Sequence, residues 1–388
     1  MSPDRKAAAW SHYVTTTLSG EKVRAFIPPP LPPDPGALDL TSLQAILAEA
    51  NQAVGRLDGM TSALPDLKLF LYSYVRKEAV LSSQIEGTQS SLSDLLLYEN
   101  AEVPGVPLDD VQEVSNYVAA LNHGLERMRG GFPLSLRLIR EIHGVLLAKG
   151  RGSHAQPGHF RKSQNWIGGS RPGNAAYVPP PPEYVMECMG QLETFMHRDD
   201  AALPLLVRAG LVHAQFESIH PFLDGNGRVG RLLITFMLCA EEALREPVLY
   251  LSLFFKRHRR LYYDRLNGTR GSDGWNEWLD FFLQGARDTA NQAAKMAGSI
   301  DKLFQIDKAK IERLGRGAPS ALLIYRYAQV NPLFSIRNAA RSTMVSFPTA
   351  SSAVARMTDA GILRESSGKR RGRLFLYEGY LNLLNRES

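Results

Sequence analysis

The chain has 388 residues, of which 44% are hydrophobic and 22% are charged, and its formal net charge at pH 7 is +6. These proportions are ordinary for a globular protein, so they exclude wholesale disorder and a fibrous repeat. No membrane span or export signal is expected, because the longest mainly apolar run, residues 232–240, is far shorter than the ~18 residues needed and the N-terminus lacks an apolar segment. Two cysteines without partners at metal-ligand spacing, Cys188 and Cys239, predict buried thiols in a reducing, cytoplasmic compartment. The basic charge is compatible with nucleic acid, nucleotide phosphates or an acidic protein partner, and it does not choose among them.

The N-terminal forty residues are dominated by a proline-rich strap at 27–36, which can form neither a helix nor a central strand. We expect a stiff linker there, and the arm before it yields no prediction. Apolar residues recur at helical spacing over 38–98, and a proline-marked break at 101–110 precedes another helical pattern at 111–128. This part of the chain is predicted to be helical.

The middle of the chain continues in helical patterns interrupted by one segment, 150–182, that is rich in Gly, Pro, Ser and Asn. In that segment Trp166 and Ile167 precede GGSRPGN, and Tyr177 and Val178 follow it, which predicts a short hairpin acting as a flexible flap. The further predicted helices are 134–147, 182–195, 203–219, 228–244 and 275–297.

The tail changes pattern after about Leu314, to three short helical segments, a basic turn SSGKRRGR and the alternating run LFLY. Helices followed by two short strands around a basic turn are the layout of a winged helix. Four cations of the turn could contact a phosphate backbone, although charges in an exposed turn are usually only solvated. They are Lys369, Arg370, Arg371 and Arg373.

The segment with the clearest chemistry is residues 220–231, HPFLDGNGRVGR, which joins two helical patterns with apolar stripes. Gly225 and Gly227 bracket Asn226 where the second helix begins, so backbone N–H groups can turn toward a bound anion and the helix dipole favours negative charge. Arg228 and Arg231 are three residues apart in the first turn, hence on one face, and their planar forks suit the oxygens of one polyphosphate. The segment is therefore a candidate phosphate site.

Two further residues of this segment supply reactive groups. Asp224 offers the single hard oxygen ligand that a phosphate-bound Mg²⁺ typically takes from a protein. His220 ends the preceding helix a few residues away, where a neutral imidazole could take a proton from an attacking hydroxyl. The alternative interpretation is a glycine-rich turn with surface arginines and a capping Asp, which explains fewer of the residues.

This segment resembles the motif of the Fic family, in which His, any residue, Phe, any residue and Asp or Glu precede GNGR, two residues and Arg. Every motif position is matched, from His220 and Phe222 to Arg231. Gly227 stands where the Doc-type kinases of this superfamily carry Lys, so the resemblance favours transfer of AMP over transfer of phosphate.

The resemblance implies a role for each residue, with ATP and Mg²⁺ as the bound groups. His220 would deprotonate a Tyr, Thr or Ser hydroxyl of a target protein, and Asp224 would hold Mg²⁺ on the α- and β-phosphates. The glycines and Asn226 would cradle phosphates, and the two arginines would clamp the β and γ groups. The implied nucleotide-binding loop residues are Gly225, Asn226, Gly227, Arg228 and Arg231.

A second resemblance lies upstream, in LSSQIEGTQSSLSDLL, where Ser82, three residues, Glu86 and Gly87 match the inhibitory helix that some Fic proteins carry N-terminal to the core. It implies that Glu86 pairs with Arg231 and keeps this arginine from the γ-phosphate of ATP. A carboxylate and a guanidinium in a partly dry site can compete with a phosphate oxygen in this way. The alternative is a chance Ser-x-x-x-Glu on a solvated helix face.

The resemblance also implies the pocket walls. The flap would lay target backbone alongside a hairpin edge by strand addition, with Trp166 and Ile167 touching the target, although Trp166 also suits a loop anchor. Tyr262 and Tyr263 occupy a position where Fic proteins place aromatic side chains beside the adenine. Adjacent helical residues do not share a face, so at most one is expected to stack and the other can be core.

The implied fold is mainly α, a Fic-type helical bundle with a small β-hairpin flap, followed by a winged-helix domain. The boundaries expected are 1–110 for an N-terminal arm and helical region with the inhibitory helix at about 79–98, 111–300 for the catalytic core and 315–388 for the winged helix. Partners would be a target protein with a hydroxyl side chain, with self-modification and a homodimer as further options.

Three alternatives remain open at this point. A metal hydrolase would use His213, Glu217 and His220, which share a helical stripe, but it leaves GNGR unexplained. A transcription factor would bind DNA through the winged helix and use the core as a ligand sensor. An enzyme of the same fold could instead remove AMP, with Glu86 orienting a water.

Overall fold

A computed structural model describes residues 13–62, 64, 67–99, 107–198, 203–271, 274–366 and 372–385. The chain is mainly α-helical with small β elements, which confirms the predicted fold class. The α-helices are α1 (Gln44–Ser62), α2 (Leu67–Ile85), α3 (Leu92–Glu99), α4 (Leu108–Arg129), α5 (Leu136–Leu146), α6 (Pro182–Met196), α7 (Leu205–Ile219), α8 (Asn226–Ala240), α9 (Ser252–Arg257), α10 (Arg259–Gly268), α11 (Gly274–Glu312), α12 (Ala318–Val330), α13 (Ile336–Thr343), α14 (Phe347–Asp359) and α15 (Glu378–Asn385). The strands are β1 (Tyr13–Leu18), β2 (Glu21–Phe26), β3 (Leu333–Ser335), β4 (Arg364–Glu365) and β5 (Leu374–Leu376), and short 3₁₀ turns lie at Pro35–Ala37, Pro172–Asn174 and Gly315–Gly317.

Helix α7 is the central helix of the bundle. All of its residues after Leu205 are buried, which is the property of a helix surrounded by other elements on every side. It packs beside α8, and α6, α10 and α11 also contact it. The loop between α7 and α8 is therefore held from both ends by core helices.

The long helix α11 differs from its prediction. The apolar pattern predicted residues 275–297, whereas the helix runs to Glu312. Its last turns bury Ile300 and Ile311 against the tail of the chain, because α11 packs on α12 and α15 as well as on α1. The helix thus continues from the bundle into the core of the C-terminal segment.

The first forty residues, which yielded no prediction, contain an antiparallel hairpin. β1 pairs with β2 from Tyr13 opposite Phe26 to Leu18 opposite Glu21. The turn residues Ser19 and Gly20 have φ values of 52° and 82°, as the tight turns that suit twisted hairpins require. The hairpin lies beside the flap, because the Phe26 N–H donates to the Val178 carbonyl at 3.0 Å.

The C-terminal segment runs in the order helix, strand, helix, helix, strand, strand, helix. Its three strands form one antiparallel sheet in the order β3, β5, β4. The predicted wing residues Lys369, Arg370 and Arg371 lie outside the described residues, and Arg373 pairs with Glu365 at 3.4 Å. The apolar core continues from the helical bundle into this segment without a break.

Two smaller findings concern exclusions drawn from the sequence. None of the described helices combines the length and the apolarity that crossing a bilayer requires. Both cysteines are free thiols, but only Cys188 is buried, whereas Cys239 is half-buried, so the prediction of two buried thiols is wrong for Cys239.

Candidate active site

His220 is the C-terminal cap of α7, where the chain turns out of the helix. It adopts a left-handed conformation with φ of 49°, and its N–H donates to the Phe216 carbonyl at 2.9 Å. Its own carbonyl accepts a hydrogen bond from Arg161 Nε at 2.9 Å, and Arg161 also donates to Pro180 and Ile219. The buried Arg161 therefore ties the chain around His220 to the base of the flap.

The imidazole of His220 is held in its neutral form. Burial, with the nearby positive charge of Arg161 as a second cause, lowers its pKa from 6.5 to about 4. Its Nδ1 is buried and has no hydrogen-bond partner among the described residues. A neutral imidazole at the wall of a cavity is able to accept a proton near neutral pH.

The loop after His220 is closed by the side chain of Asn226. Asn226 Oδ1 accepts from the Phe222 N–H at 2.8 Å, and Asn226 Nδ2 donates to the Phe222 carbonyl at 2.9 Å. Gly225 caps α8 with φ of 79°, a conformation that favours glycine. The side chain of Asn226 is therefore used to hold the loop. Only the backbone N–H of Asn226 is left to contact a bound anion.

His143 of α5 supports this loop from below. Its Nε2 lies 3.0 Å from the Asp224 carbonyl, the Gly158 N–H donates to its Nδ1 at 2.8 Å, and its ring stacks on Phe222 with centroids 3.7 Å apart. Because Nδ1 accepts a hydrogen bond, the proton of the neutral ring lies on Nε2 and is donated to the carbonyl. Burial lowers the pKa of His143 from 6.5 to about 4.

Arg228 has a different environment from the one predicted. It is buried, its guanidinium lies 2.8 Å from Glu113 of α4, and it also contacts Asp224 at 3.3 Å. Glu113 holds Arg228 and Glu86 holds Arg231, and the convergence of the two arginines on one polyphosphate stays a prediction. Asp224 keeps a side chain that is 41% exposed, and its Oδ1 accepts from the Gly225 N–H at 2.6 Å.

Arg231 is held by α2, the helix that carries Ser82. Its Nε donates to Ser82 Oγ at 2.8 Å, and a terminal nitrogen donates to the Ser82 carbonyl at 3.0 Å and to Glu86 Oε1 at 2.7 Å. Burial acts to raise the pKa of Glu86, but the positive charge of Arg231 outweighs it, so the pKa is lowered and the carboxylate stays ionised. The pairing of Glu86 with Arg231 is thus present in this structure.

A cavity of about 340 Å³ opens beside these groups, between the start of α8, the helix α10 and the flap. A Cβ atom at position 227 would clash with the Glu86 carboxylate and lie 3.0 Å from Arg231. Glycine at this position therefore leaves the space that these two side chains occupy beside the loop. The cavity is lined by Glu86, Ile167, Ala176, Tyr177, Glu217, His220, Gly227, Arg231, Arg259, Tyr262, Tyr263, Leu266, Asn267 and Arg270.

The two tyrosines of α10 occupy different environments, as the helical spacing suggests. Tyr262 is buried and its hydroxyl lies 2.8 Å from His213 Nε2, whereas Tyr263 is 37% exposed. Both line the cavity, and the Arg259 guanidinium lies over the Tyr263 ring at 5.8 Å from its centroid. In the flap, Ile167 pairs with Tyr177 in both directions at 2.8 and 3.1 Å, and Trp166 is exposed.

The metal-hydrolase alternative is contradicted. Both ring nitrogens of the buried His213 are occupied, Nδ1 by the Gly230 carbonyl at 2.9 Å and Nε2 by Tyr262. In the part of the chain that is described, no group of three His, Cys, Asp or Glu could hold a metal ion. Burial raises the pKa of Glu217 to about 7, and its Oε1 has no hydrogen-bond partner among the described residues.

Sequence reasoning missed three residues of this site. Glu113 holds Arg228, Arg161 holds the backbone of His220, and Arg270 stacks over the Tyr177 ring at 3.2 Å from its centroid. Arg161 is 59 residues from His220 and Arg270 is 93 residues from Tyr177, so only the fold brings each pair together. Glu113 has the pattern of an ordinary polar position of α4. A charged residue inside an otherwise apolar stripe is the one local signal, and it does not identify the partner.

Two parts of the chain match known protein families. Residues 44–126 match the family described as Fic/DOC family N-terminal, and residues 133–238 match the Fic/DOC family. The second range contains His220 and the whole loop that follows it.

Curated relatives of the chain include proteins named protein adenylyltransferase Fic. The one from Aedes aegypti is 32% identical over 193 residues, which are 49% of this chain and 36% of the relative. The one from Drosophila yakuba is 26% identical over 245 residues, which are 60% of this chain and 45% of the relative. The chain thus spans less than half the length of these curated relatives.

Solved structures with the same fold include two bacterial proteins. A Fic family protein from Desulfovibrio desulfuricans matches with a TM-score of 0.55 at 18% identity, covering 90% of this chain and 98% of that one. A Fic domain containing signaling protein from Bacteroides thetaiotaomicron matches with a TM-score of 0.54 at 21% identity, covering 66% of this chain and 97% of that one. At these identities the likeness concerns the fold.

Proposed function

This chain carries the N-terminal and core domains of the Fic/DOC family, and we propose that it transfers AMP from ATP to a Tyr, Thr or Ser hydroxyl of a target protein. The observation that carries the proposal is that one cavity is lined by three groups. They are the neutral imidazole of His220, the N-terminus of α8 at Gly227 and the guanidinium of Arg231. A base, an anion site and a fixed cation are the groups that phosphoryl-type transfer needs, since positioning and charge neutralisation dominate its catalysis. The names of the curated relatives support the same activity.

The proposed reaction is an in-line displacement at the α-phosphorus. The hydroxyl oxygen of the target forms a bond to this phosphorus as the bond to the bridging oxygen breaks, pyrophosphate leaves, and His220 takes the hydroxyl proton. The N-terminus of α8 and its backbone N–H groups stabilise the negative phosphates. The Tyr263 ring lies where it could contact the adenine ring of ATP, and the flap around Ile167 and Tyr177 orients the hydroxyl that accepts AMP.

The proposed Mg²⁺ site rests on Asp224. Its side chain is partly exposed while the Gly225 N–H fixes one oxygen, which fits a single hard ligand for a cation that is bound mainly by phosphates. When bound, Mg²⁺ would neutralise phosphate charge. Glu113 and Arg228 orient Asp224 by fixing its surroundings.

We propose that Glu86 is a brake on this activity. Ser82 and Glu86 take three of the five N–H donors of Arg231, and the Glu86 carboxylate repels a γ-phosphate that approaches the same guanidinium. Release of α2, or displacement of Glu86 alone, would free Arg231 for the nucleotide. ATP would then bind in the productive orientation.

A second candidate activity, removal of AMP from a modified protein, is favoured by the position of the same carboxylate. Glu86 is ionised and lines the cavity that also contains His220, which is where a carboxylate that orients water would have to lie. The two activities would then share one site.

We propose a winged-helix arrangement for the C-terminal segment. The order helix, strand, helix, helix, strand, strand supports it, together with the sheet order β3, β5, β4. The exposed Phe347 and Met344 lie around the start of α14.

The test of the transferase is incubation with α-phosphate-labelled ATP and Mg²⁺. Wild type, Glu86→Gly and Glu86→Gly/His220→Ala are compared for label transferred to the protein itself or to a lysate. Label that appears mainly in Glu86→Gly and vanishes in the double variant supports the base and the brake together. If none of the three variants transfers label while each binds ATP, the transferase proposal is wrong, and release of AMP from a pre-labelled protein is the next activity to measure.

A further inference from the structure

The N-terminal hairpin and the flap border a second groove, and hydrogen bonds join the two elements at two places. At one end the Phe26 N–H donates to the Val178 carbonyl at 3.0 Å. At the other end the Glu21 carboxylate accepts from Arg171 at 2.7 Å and from the Gly173 N–H at 2.6 Å. Between these two ties Val23 and Ala25 of β2 pack against Val178 and Ala175 of the flap. A space of about 280 Å³ lies beside this contact and is lined by Tyr13, Lys22 and Arg24.

This groove adjoins the candidate active site across the flap. Ala176 and Tyr177 line both the groove and the cavity that contains His220. Arg270 lies over the Tyr177 ring from the cavity side. A peptide segment that occupies the groove would therefore place its neighbouring residues beside the reacting groups, and the flap would separate the two subsites.

The charges around the groove are positive and available. Lys22 and Arg24 line it with exposed side chains, and Arg24 packs over the Tyr13 ring at 4.6 Å from its centroid. The described residues that line the groove include no acidic side chain. The negative charge of the adjacent Glu21 is paired with Arg171. The hydrogen bond from Arg171 is the largest cause of the lowered pKa of this carboxyl.

We propose that this groove binds an acidic segment of the target protein next to the acceptor hydroxyl. The inference rests on the proposed function, because it concerns the protein substrate of the same site. An extended polypeptide can lie along β2 over the groove, and Asp or Glu side chains complement Lys22 and Arg24. A nucleic acid fits less well, because phosphate backbones take a longer run of cations than the two exposed here.

The hairpin also lies outside both family matches, which begin at residue 44. The flap side of the groove lies within the second match, whereas its two cations lie on the hairpin, so selection of the target by charge would be a property of the hairpin. The catalytic loop would be common to any substrate, whereas the groove would decide which hydroxyl is presented.

The experiment measures peptide binding to the full chain by fluorescence anisotropy. The probes are fluorescein-labelled heptapeptides with a central Tyr, one with flanking Glu residues and one with flanking Lys residues. We expect the Glu peptide to bind more tightly, with an affinity that falls as salt rises. Charge reversal in Lys22→Glu/Arg24→Glu should weaken its binding by about tenfold, as expected for two exposed charge pairs.

The matched control is Lys302→Glu/Arg313→Glu, which makes the same change in net charge at exposed residues that line neither cavity. It should leave binding of the Glu peptide unchanged. Neutral Lys22→Gln/Arg24→Gln should fall between wild type and charge reversal, and circular dichroism verifies that each variant is folded.

The proposal is overturned if the two peptides bind alike, if neither binds, if both charge reversals weaken binding equally, or if a single-stranded oligonucleotide displaces the Glu peptide at lower concentration. The assay needs neither ATP nor AMP transfer. A chain that binds the Glu peptide through Lys22 and Arg24 but transfers no AMP would contradict the proposed function and leave the groove intact. The converse result would contradict the groove alone.

Discussion

The carboxylate of Glu86 lies 2.7 Å from the guanidinium of Arg231, across 145 residues of sequence. The Arg231 side chain is only 2% exposed, whereas Glu86 is 31% exposed. The arginine is thus fixed in the protein, and the glutamate is the partner that can leave toward the cavity. A bound polyphosphate would compete with Glu86 for the same nitrogen atoms.

The first prediction concerns that competition. Glu86→Gln keeps the size of the side chain but removes its charge, so it should tighten binding of a non-hydrolysable ATP analogue about tenfold, the value of roughly one charged hydrogen bond. Ser82→Ala should tighten it less, because Glu86 remains. Isothermal titration calorimetry measures both, and equal affinities in wild type and Glu86→Gln would argue against the brake.

The second prediction concerns the buried pair of Glu113 and Arg228, whose side chains are each 1% exposed. Glu113→Gln leaves the buried guanidinium with only its longer contact to Asp224 at 3.3 Å, so it should cost about 3 kcal/mol of unfolding free energy. It should also weaken Mg²⁺-dependent ATP binding, since Arg228 contacts Asp224. Urea unfolding and calorimetry check the two effects.

The control for Glu113 is Arg151→Gln. Arg151 contacts the same carboxylate at 3.2 Å, but its side chain is 49% exposed, so its loss should cost no more than about 1 kcal/mol. Equal destabilisation by the two substitutions would contradict a special role for the Glu113–Arg228 pair.

The third prediction concerns the closure of the catalytic loop. Asn226→Asp keeps the acceptor for the Phe222 N–H, loses the donor to the Phe222 carbonyl and places a carboxylate in a buried position. We expect a loss of about 1 to 3 kcal/mol in unfolding free energy and lower AMP transfer in the Glu86→Gly background. Asn331→Asp is the control, since Asn331 is half-buried and bonds only its own helix at Tyr327.

The fourth prediction is a pH dependence that arises from His143. Its pKa in the folded chain is about 4, below the ordinary 6.5, so the unfolded chain binds the additional proton first as pH falls. The stability that this residue contributes is therefore complete above pH 6.5 and is lost between pH 6.5 and 4, by roughly 3 kcal/mol. In His143→Asn, which does not titrate, the fall in unfolding free energy over this window should be smaller by that amount.

The measurement for His143 is urea unfolding at several pH values from 7 to 4. His123, which is exposed in part and pairs with Glu141 at 3.4 Å, supplies the control substitution His123→Asn. A slope in His143→Asn equal to that of wild type would show that the ring is not the group that titrates.

The candidate site loop at residues 220–231 could be predicted from sequence because its groups lie within twelve consecutive residues. Helix geometry and glycine conformation are local, so they place His220, Gly227 and Arg231 near one another before any tertiary contact is known. The N-terminal hairpin carried a local signal as well. Its alternating residues and the turn at Ser19 and Gly20 are typical of a hairpin.

The partners of the site could not be predicted in the same way. Nothing near Arg228 in sequence indicates Glu113, because an ion pair depends on the distance between two helices and not on the spacing within either. In this structure the two arginines are held from different helices, Arg228 by Glu113 of α4 and Arg231 by Ser82 of α2. The length of α11 was underestimated because its last turns are stabilised by the C-terminal segment.

The sequence by itself determined the helical character of the chain, the position of the loop at residues 220–231 and the chemistry of its side chains, because periodicity and residue type act over a few neighbouring residues. Only the tertiary structure decided which charges are paired, which pKa values are shifted and how the hairpin meets the flap. Burial and Coulomb interactions depend on what surrounds a group in space, and that surrounding comes from segments far apart in the chain.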